Sequence, residues 1–304
     1  MEKVFIIVLN YNGGQAIKEC LESVMLLDKR GIDLNVVVVD NGSTDKSVER
    51  VKEFTSSRVK LIENKKNLGF AGGNNVGLRW ALKNGADWVM LLNNDTELAK
   101  KCLVRLIELG RKKRKAFILG PKIYFASGYE FHCERYTKEE RGKVIWYAGG
   151  RIDWGNMIAS HQGVDEIDRG QHDQIRETEF ISGCAMMIKR KVLENIGLLD
   201  EKYFLYYEDA DFCQRAKQAG FKMIFVPAAK VWHKNLGTGR TGSELQDYYL
   251  TRNRLLFGLD WAPIRTKLAL LKESGLLLLR GRPWQKRGVR DFYLRKWGKG
   301  SYEA

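Results

Sequence analysis

The chain has 304 residues, of which 44% are hydrophobic and 29% charged, and it carries a formal net charge of +15. This length and hydrophobic share are typical of a globular protein with one large core, or one domain and a smaller appendage, and there are no repeats or low-complexity tracts. The charge indicates anionic partners such as phosphate-bearing substrates, a membrane surface or nucleic acid.

The chain begins with an apolar segment, residues 4–9, that is too short for the core of a signal peptide. No stretch approaches the roughly 20 apolar residues that a membrane span needs. The five cysteines lie far apart without a C-x-x-C pair, which argues against a disulfide framework or a zinc site. We therefore expect a cytoplasmic protein that does not cross the bilayer.

The first part of the chain alternates short β-branched runs with amphipathic helical patterns. These patterns predict strands at residues 4–9, 35–40, 59–63, 88–93 and 116–120, and helices at residues 15–27, 46–54, 71–84 and 99–113. Alternation of this kind predicts an α/β fold with a Rossmann-like, mostly parallel sheet flanked by helices.

The later part of the chain is less regular. Residues 124–179 are polar and rich in glycine and aromatic residues, which indicates an insertion or flap. After it we predict a strand at 180–189, a helix at 209–218, and strands at 222–226 and 230–233. The division that follows is a domain at residues 1–240 and a basic helical segment at residues 241–304.

Each predicted strand of the first half ends in polar residues. The strand ends carry Asn10, Asp40, the glycine-containing stretch 67–75, and residues 93–95. Because the carboxyl ends of parallel strands meet at one edge of a sheet, these four segments predict a binding crevice.

Two carboxylates in this predicted crevice are candidate ligand-binding residues. Asp95 suits a hard cation such as Mg²⁺ or Mn²⁺ that holds a nucleotide's phosphates, although a polar turn explains this segment equally well. Asp40 can accept hydrogen bonds from a ribose or a base; its alternative is a helix cap, which suits Asp45 better. The glycines of residues 67–75 would let the backbone approach a ligand closely.

A second group of candidates follows the insertion. Glu208 and Asp209 follow an aromatic run, and Asp209 is a candidate general base because partial burial raises its basicity. A helix N-cap is the alternative for Asp209. His233 follows a predicted strand and precedes a glycine-rich loop with Arg240, which could fold over a diphosphate.

These motifs together resemble those of the family 2 glycosyltransferases of the GT-A fold, particularly the bacterial rhamnosyltransferase-like branch. The resemblance runs from about residue 4 to residue 239. The matching motifs are residues 9–12, 39–45, 67–75, 93–95, 181–185, 208–211 and 232–233.

The resemblance implies a role for each matched residue. Asp209 would be the catalytic base, and Asp95 and His233 would hold Mg²⁺ or Mn²⁺; Asn93 stands where the family has the first Asp of D-x-D. The residues implied to bind the nucleotide sugar are Asn10, Asp40, Asn67, Gly69, Asn74, Asn94 and Arg240. The implied reaction is a single inverting displacement of a nucleoside diphosphate by an acceptor hydroxyl.

The resemblance also implies the partners. The donor would be dTDP-L-rhamnose or a UDP-hexose, and the acceptor a glycan or lipid-linked glycan of the cell surface. A non-catalytic sugar-nucleotide-binding protein is the alternative. A dehydrogenase would need G-x-G-x-x-G directly after the first strand, and a nucleic-acid-binding protein would need its charge around a recognised module, so both are disfavoured.

The basic C-terminal segment, residues 265–299, interleaves leucine and aromatic residues with lysine and arginine. This pattern suits a helix in the headgroup layer of an anionic membrane, peripheral on the inner face of the plasma membrane. The alternative is a helical appendage packed on the catalytic domain with its charges solvated.

Overall fold

The computed structural model describes residues 1–113, 116–236 and 242–303. The strands are β1 (Glu2–Asn10), β2 (Ile32–Asp40), β3 (Val59–Glu63), β4 (Trp88–Asn93), β5 (Thr96–Leu98), β6 (Ala116–Phe125), β7 (Ile145–Tyr147), β8 (Gly150–Asp153), β9 (Ile158–His161), β10 (Arg176–Glu177), β11 (Ala185–Lys189) and β12 (Lys222–His233). The helices are α1 (Ala16–Met25), α2 (Ser47–Lys52), α3 (Gly69–Lys83), α4 (Cys102–Lys112), α5 (Arg190–Ile196), α6 (Glu208–Gln218), α7 (Glu244–Trp261), α8 (Ile264–Arg280) and α9 (Pro283–Tyr293).

The main sheet has the strand order β10-β12-β6-β11-β4-β1-β2-β3, with β5 and β7 paired to β12 and β6. Strands β3, β2, β1 and β4 are parallel, and β11 enters antiparallel beside β4. The polar ends of the four parallel strands therefore lie at one edge, as the sequence predicts.

The core has two layers, one on each face of this sheet. Alternate side chains of β1 point to opposite layers: Val4, Ile6 and Val8 pack toward α1 and α4, while Phe5 and Ile7 pack toward α3. A strand buried on both faces reads as a continuous apolar run because each side chain meets a hydrophobic layer.

The segment predicted as a flap is tied to the main sheet. Strand β7 pairs with β6, β10 pairs with β12, and β8 and β9 form a separate hairpin. Lys122 of β6 is fully buried, and its Nζ lies 2.8 Å from Asp168 and 2.6 Å from Asp173 of this segment. A buried ammonium needs such partners, so this ion-pair cluster fixes the segment on β6.

Several predicted elements have different bounds. The predicted strand at 180–189 begins only at Ala185, because two preceding backbone N–H groups donate to side chains: Ile181 to Cys213 and Gly183 to Asp209. The strands predicted at 222–226 and 230–233 form one strand, β12, with a register shift between Val226 and Lys230. The helix predicted at 99–113 begins only at Cys102, because β5 pairs with β12 and the Ala99 N–H continues that pairing by donating to the Lys230 carbonyl.

The C-terminal helices pack on the α/β core. Ser243 caps the start of α7 by accepting from the Gln246 N–H, and Pro283 occupies the first turn of α9. Arg252 of α7 is fully buried and donates to the carbonyls of Lys202, Tyr203 and Gly298. Helix α7 is thus part of the core, and no helix in the described ranges is long and apolar enough to span a membrane.

Candidate active site

Asn10 joins three strand ends in one hydrogen-bond network. Its Nδ2 donates to Asp40 Oδ1 at 2.8 Å and to Ser47 Oγ at 2.9 Å, and its Oδ1 accepts from Asn94 Nδ2 at 2.9 Å. Asn10 is fully buried, so this network fixes the ends of β1, β2 and β4 relative to one another. Asn10, Asp40 and Asn94 are brought together as the sequence predicts.

Asp40 makes most of its hydrogen bonds to residues of the loop that follows it. Besides Asn10, its Oδ1 accepts from Ser43 Oγ at 2.5 Å, and its Oδ2 accepts from the backbone N–H groups of Gly42 and Ser43 at 3.1 and 3.0 Å. A carboxylate has about four acceptor positions, so a ligand contact would replace one of these bonds. Asp45 accepts from the Ser47 N–H at the start of α2, which is the capping role that the sequence suggests for it.

The stretch 67–75 is organised by packing more than by open space. Asn67 Oδ1 accepts from Asn41 Nδ2 and from the Gly69 N–H, at 2.9 and 2.8 Å. Gly69 has φ +77°, and a Cβ there would lie 2.4 Å from Phe204; a Cβ on Gly73 would lie 2.4 Å from Leu9. Close packing against Phe204 and Leu9 therefore explains why glycine occupies these two positions. The sequence had suggested a different reason, close approach of the backbone to a ligand.

The two remaining residues predicted for the nucleotide sugar are placed differently. Asn74 lies within α3 and is fully buried; its Nδ2 donates to the Phe70 carbonyl, and its Oδ1 has no partner in the described structure. Arg240 lies outside the described residues.

Asp95 and His233 form a buried ion pair at the carboxyl end of β4. His233 Nε2 lies 3.1 Å from Asp95 Oδ1, and Asp95 Oδ2 accepts from the Leu236 N–H at 2.8 Å. Burial alone would lower the pKa of His233, but Cys184 and the Asp95 carboxylate raise it to about 10. Burial opposes ionisation of Asp95 as well, yet the His233 charge holds the pKa of Asp95 below its ordinary value.

The chemistry of this pair fits a hard cation that is shared with substrate phosphates. In the described ranges no three His, Cys, Asp or Glu side chains are grouped to hold a metal ion. Mg²⁺ needs few protein ligands, since it keeps waters and binds through one or two carboxylates plus phosphates. His233 Nδ1 has no hydrogen-bond partner in the described part of the chain. Because the raised pKa of His233 favours its charged form, the ring would have to lose a proton before it could ligate a cation, whereas the Asp95 carboxylate is a ligand that suits Mg²⁺ and Mn²⁺.

Asp209 lies in the first turn of α6 and is connected through the backbone to the polar ends of the parallel strands, which form the donor edge, the side of the site expected to bind the sugar donor. Its Oδ2 accepts from the Gly183 N–H at 2.9 Å and its Oδ1 from the Ala210 N–H at 2.8 Å. At the next residue, the Cys184 carbonyl accepts from the Asn93 N–H at 2.9 Å. Burial raises the pKa of Asp209, with those backbone donors opposing the rise, so its carboxylate is more basic than an ordinary aspartate.

Glu208 provides a second carboxyl beside Asp209. It is buried, and its Oε2 has no hydrogen-bond partner among the described residues. Burial, and then the neighbouring charge of Asp209, raises the pKa of Glu208 well above its ordinary value. Two adjacent carboxyls with raised pKa values are typical of a site for proton transfer.

The segment before this acidic pair is strained. Phe204, Tyr206 and Tyr207 have φ values of 64°, 68° and 73°, a region that costs non-glycine residues free energy unless the surroundings impose it. Asn253 Nδ2 of α7 donates to the carbonyls of residues 203, 205 and 206, at 2.8, 2.7 and 2.9 Å. Helix α7 thereby holds the segment that leads into α6, the helix that carries Asp209.

The sequence analysis did not predict Trp146, which contacts His233, or Asn253, which holds the segment before Asp209. Trp146 lies edge-on between His233 and His161, with ring centroids 4.6 and 4.3 Å apart, and burial lowers the pKa of His161 to about 4. Only the aromatic content of the insertion pointed to Trp146. The role of Asn253 had no local signal because its partners lie about 50 residues away in sequence.

The mostly parallel sheet flanked by helices, with its polar strand ends at one edge, is the fold of the GT-A glycosyltransferases. Residues 5–197 match glycosyl transferase family 2. The chain therefore belongs to this family. Asp209 and His233 lie beyond the matched range, and their roles stay predictions.

Two curated relatives cover most of the chain. A low-salt glycan biosynthesis hexosyltransferase from Haloferax volcanii is 27% identical over 84% of this chain and 75% of its own length. An N-acetylglucosaminyl-diphospho-decaprenol L-rhamnosyltransferase from Mycobacterium tuberculosis is 25% identical over 77% of each chain.

The fold is also found among solved structures. The crystal structure of GalNAc-T7 with UDP, GalNAc and Mn²⁺ superposes with a TM-score of 0.62 at 17% identity, covering 90% of this chain and 54% of that one. The chain thus spans about half of that structure. At this identity the likeness concerns the fold.

Proposed function

We propose that the protein is an inverting glycosyltransferase that moves a sugar from a nucleoside diphosphate to an acceptor hydroxyl. The observation that carries this proposal is the placement of Asp209, which is bound to the Gly183 N–H one residue before Cys184, the partner of Asn93. A base and a donor edge tied to the same short segment keep a fixed separation, which an in-line displacement needs. Residues 1–240 would carry the chemistry.

In this proposal Asp209 accepts the proton of the attacking hydroxyl. Its raised pKa makes it a stronger base than a solvated aspartate. The Gly183 N–H holds one carboxylate oxygen and the Ala210 N–H the other, which fixes the carboxylate in place at the wall of a cavity. Burial, and then the charge of Asp209, raises the pKa of the adjacent Glu208, which favours its neutral form and limits repulsion within the pair.

On the donor side, Asp95 and His233 would hold Mg²⁺ or Mn²⁺, with Asp95 as the carboxylate ligand. The ion, when bound, offsets the negative charge of the leaving diphosphate. Asn10, Asp40, Asn67, Gly69, Asn74 and Asn94 would shape the nucleotide pocket, with Arg240 from the adjoining loop. The direct contact proposed for Asp40 requires exchange of one of its internal hydrogen bonds.

For the substrates we propose dTDP-L-rhamnose as donor, with a UDP-hexose as the second candidate, and a glycan or lipid-linked glycan as acceptor in cell-surface polysaccharide synthesis. The L-rhamnosyltransferase from Mycobacterium tuberculosis supports rhamnose as the transferred sugar, and the hexosyltransferase from Haloferax volcanii supports a hexose.

A panel of UDP-, dTDP- and GDP-sugars with Mn²⁺ or Mg²⁺ tests this function. We expect hydrolysis or transfer with dTDP-L-rhamnose above all. Turnover of a UDP-hexose alone would select the second donor. Tight binding of nucleotide sugars without turnover of any would instead favour the non-catalytic binding protein.

We also propose that the protein, in the cytoplasm, binds an anionic membrane surface through α8. The exposed side chains of Ile264, Leu268, Leu271 and Leu279 recur at helical spacing along one face, and exposed basic residues flank them. Such a face suits a helix at the headgroup layer. Other apolar residues of this segment, including Leu270, pack inward and are unavailable to a membrane.

Flotation with anionic vesicles tests the membrane proposal in the full-length chain. The double substitution Leu268→Gln and Leu279→Gln should abolish flotation, because it removes side chains that are 62% and 74% exposed. Leu26→Gln, at a position 71% exposed near α1, is the matched control and should float normally. Equal flotation of both variants, or none by the parent protein at low salt, would refute it.

A further inference from the structure

A cavity of about 610 Å³ lies between the acidic start of α6 and the C-terminal helices α7 and α8. Glu208 and Asp209 form one wall, and the leucines of the opposite wall are Leu250, Leu255, Leu270 and Leu277. Its volume suits a small organic ligand, and its lining combines polar side chains with an apolar leucine wall, which suits a ligand that has both a polar and an apolar part. Helices α7 and α8 lie outside the residues that match the family.

The polar wall offers a carboxyl that the protein itself does not use. Glu208 is 5% exposed, lines the cavity, and leaves its Oε2 without a hydrogen-bond partner in the described part of the chain. Buried polar groups are nearly always paired, so an unpaired one in a cavity needs an explanation. A protonated carboxyl donates one hydrogen bond and accepts others, which matches a sugar hydroxyl.

The opposite wall offers no free charge to a ligand. Arg254 of α7 binds both oxygens of Glu273 of α8, at 2.7 and 2.9 Å, and its Nε donates to the Asn156 carbonyl. The guanidinium is therefore neutralised and held in place. With Leu250 and Leu277 beside it, this wall favours an apolar group over a phosphate.

We infer that this cavity is the acceptor site and that it takes an amphipathic glycoside, with a sugar hydroxyl at Asp209 and Glu208 and an apolar aglycone against the leucines of α7 and α8. The C-terminal helices then determine which acceptor binds. This inference rests on the proposed function. The outward face of α8 carries the proposed membrane surface, so an acceptor that dissolves in a membrane would reach the cavity along the same helix.

Calorimetry with two probes tests this inference: methyl β-D-glucoside and n-octyl β-D-glucoside, the latter below its micelle concentration, each added to the full-length protein saturated with UDP. We expect the octyl glycoside to bind at least about ten-fold more tightly, since each buried methylene contributes favourably. Equal affinity for the two probes would overturn the inference.

Variants locate the apolar part of the site. Leu277→Ser and, separately, Leu250→Ser should reduce the octyl preference to about three-fold or less, while affinity for the methyl probe and for UDP stays the same. Leu250 is 38% exposed, so its substitution keeps the test valid if the Leu277 variant unfolds. Leu26→Ser is the matched control, and a preference unchanged in both cavity variants would place the octyl group elsewhere.

The two proposals fail separately. Turnover of a nucleotide sugar without an octyl preference would leave the enzyme assignment standing and refute this acceptor site. An octyl preference that the Leu250 and Leu277 variants lose, without turnover of any donor, would refute the proposed function and leave a cavity that binds amphipathic glycosides.

Discussion

The substitution Asp209→Asn separates the chemical role of this residue from its structural role. Aspartate accepts backbone hydrogen bonds at both oxygens, from Gly183 and Ala210. Asparagine has one acceptor oxygen, so one of these two N–H groups loses its partner. A lost hydrogen bond of this kind costs about 1 kcal/mol, with about 3 kcal/mol as the upper range, and would lower the melting temperature by a few degrees.

The catalytic loss should be larger than this structural cost. Without a proton acceptor, transfer should fall by roughly 10²–10⁴-fold, which corresponds to about 3–5 kcal/mol of transition-state stabilisation. The affinity for UDP should change little, because the donor edge is built by other residues. The raised pKa of Asp209 also predicts that kcat/KM of the parent enzyme declines on the acid side above the ordinary aspartate pKa.

The assay combines initial rates, calorimetry with UDP and thermal unfolding. Asp28→Asn is the matched control: Asp28 also accepts a backbone N–H, from Arg30, but lies in the connection between α1 and β2, away from Asp209, and its variant should keep normal rates. Near-normal turnover of Asp209→Asn would show that Asp209 is a cap. Loss of UDP binding together with activity would show that the segment at 180–184 had collapsed.

Four further results are expected. Asp95→Ala should weaken UDP binding in the presence of Mn²⁺ but not in its absence, by calorimetry; an identical Mn²⁺ effect in both proteins would refute the metal assignment. Asn253→Ala should lower kcat at least ten-fold with unchanged UDP affinity, because three hydrogen bonds that hold residues 203–206 are lost; an unchanged kcat would count against this positioning role. In urea unfolding, the Glu208→Gln variant should become more stable relative to the parent protein as the pH rises. The reason is that a buried carboxyl with a raised pKa lowers the parent's free energy of unfolding once the pH exceeds the carboxyl's ordinary pKa. A stability difference that does not change with pH would contradict this raised pKa. Lys122→Met should lower the free energy of unfolding by about 3 kcal/mol at pH 7, measured in urea. The ion pair with Lys122 helps lower the pKa of Asp168 to about 2, so this loss of stability should shrink as the pH falls from about 4 toward 2. A loss that is the same at every pH would refute the ion-pair explanation.

The parallel half of the fold was predictable because its signals are local. Strands β1, β2 and β4 are apolar runs buried on both faces, and each is followed by polar residues and an amphipathic helix. Those patterns also placed Asn10, Asp40 and Asn94 at one edge, where the structure joins them through hydrogen bonds. The pairing of Asp95 with His233, about 140 residues later, followed only from the family resemblance.

The remaining features depend on contacts between distant segments. Strands β7 to β10 have only two to four residues, too few for a periodic pattern. The left-handed backbone at Phe204 and Tyr206 is imposed by Asn253 rather than by its own sequence. Gly69 and Gly73 suggested a ligand contact, yet Phe204 and Leu9 explain their lack of a side chain.

The most direct test of the proposed reaction is proton NMR of the full-length protein mixed with a nucleotide sugar that it turns over and with its acceptor. The anomeric signal of the product reports the stereochemistry of the transfer. A single displacement assisted by Asp209 predicts a product whose anomeric configuration is opposite to that of the donor. Retention of the donor's configuration would contradict a single displacement, and with it the role of Asp209 as the base.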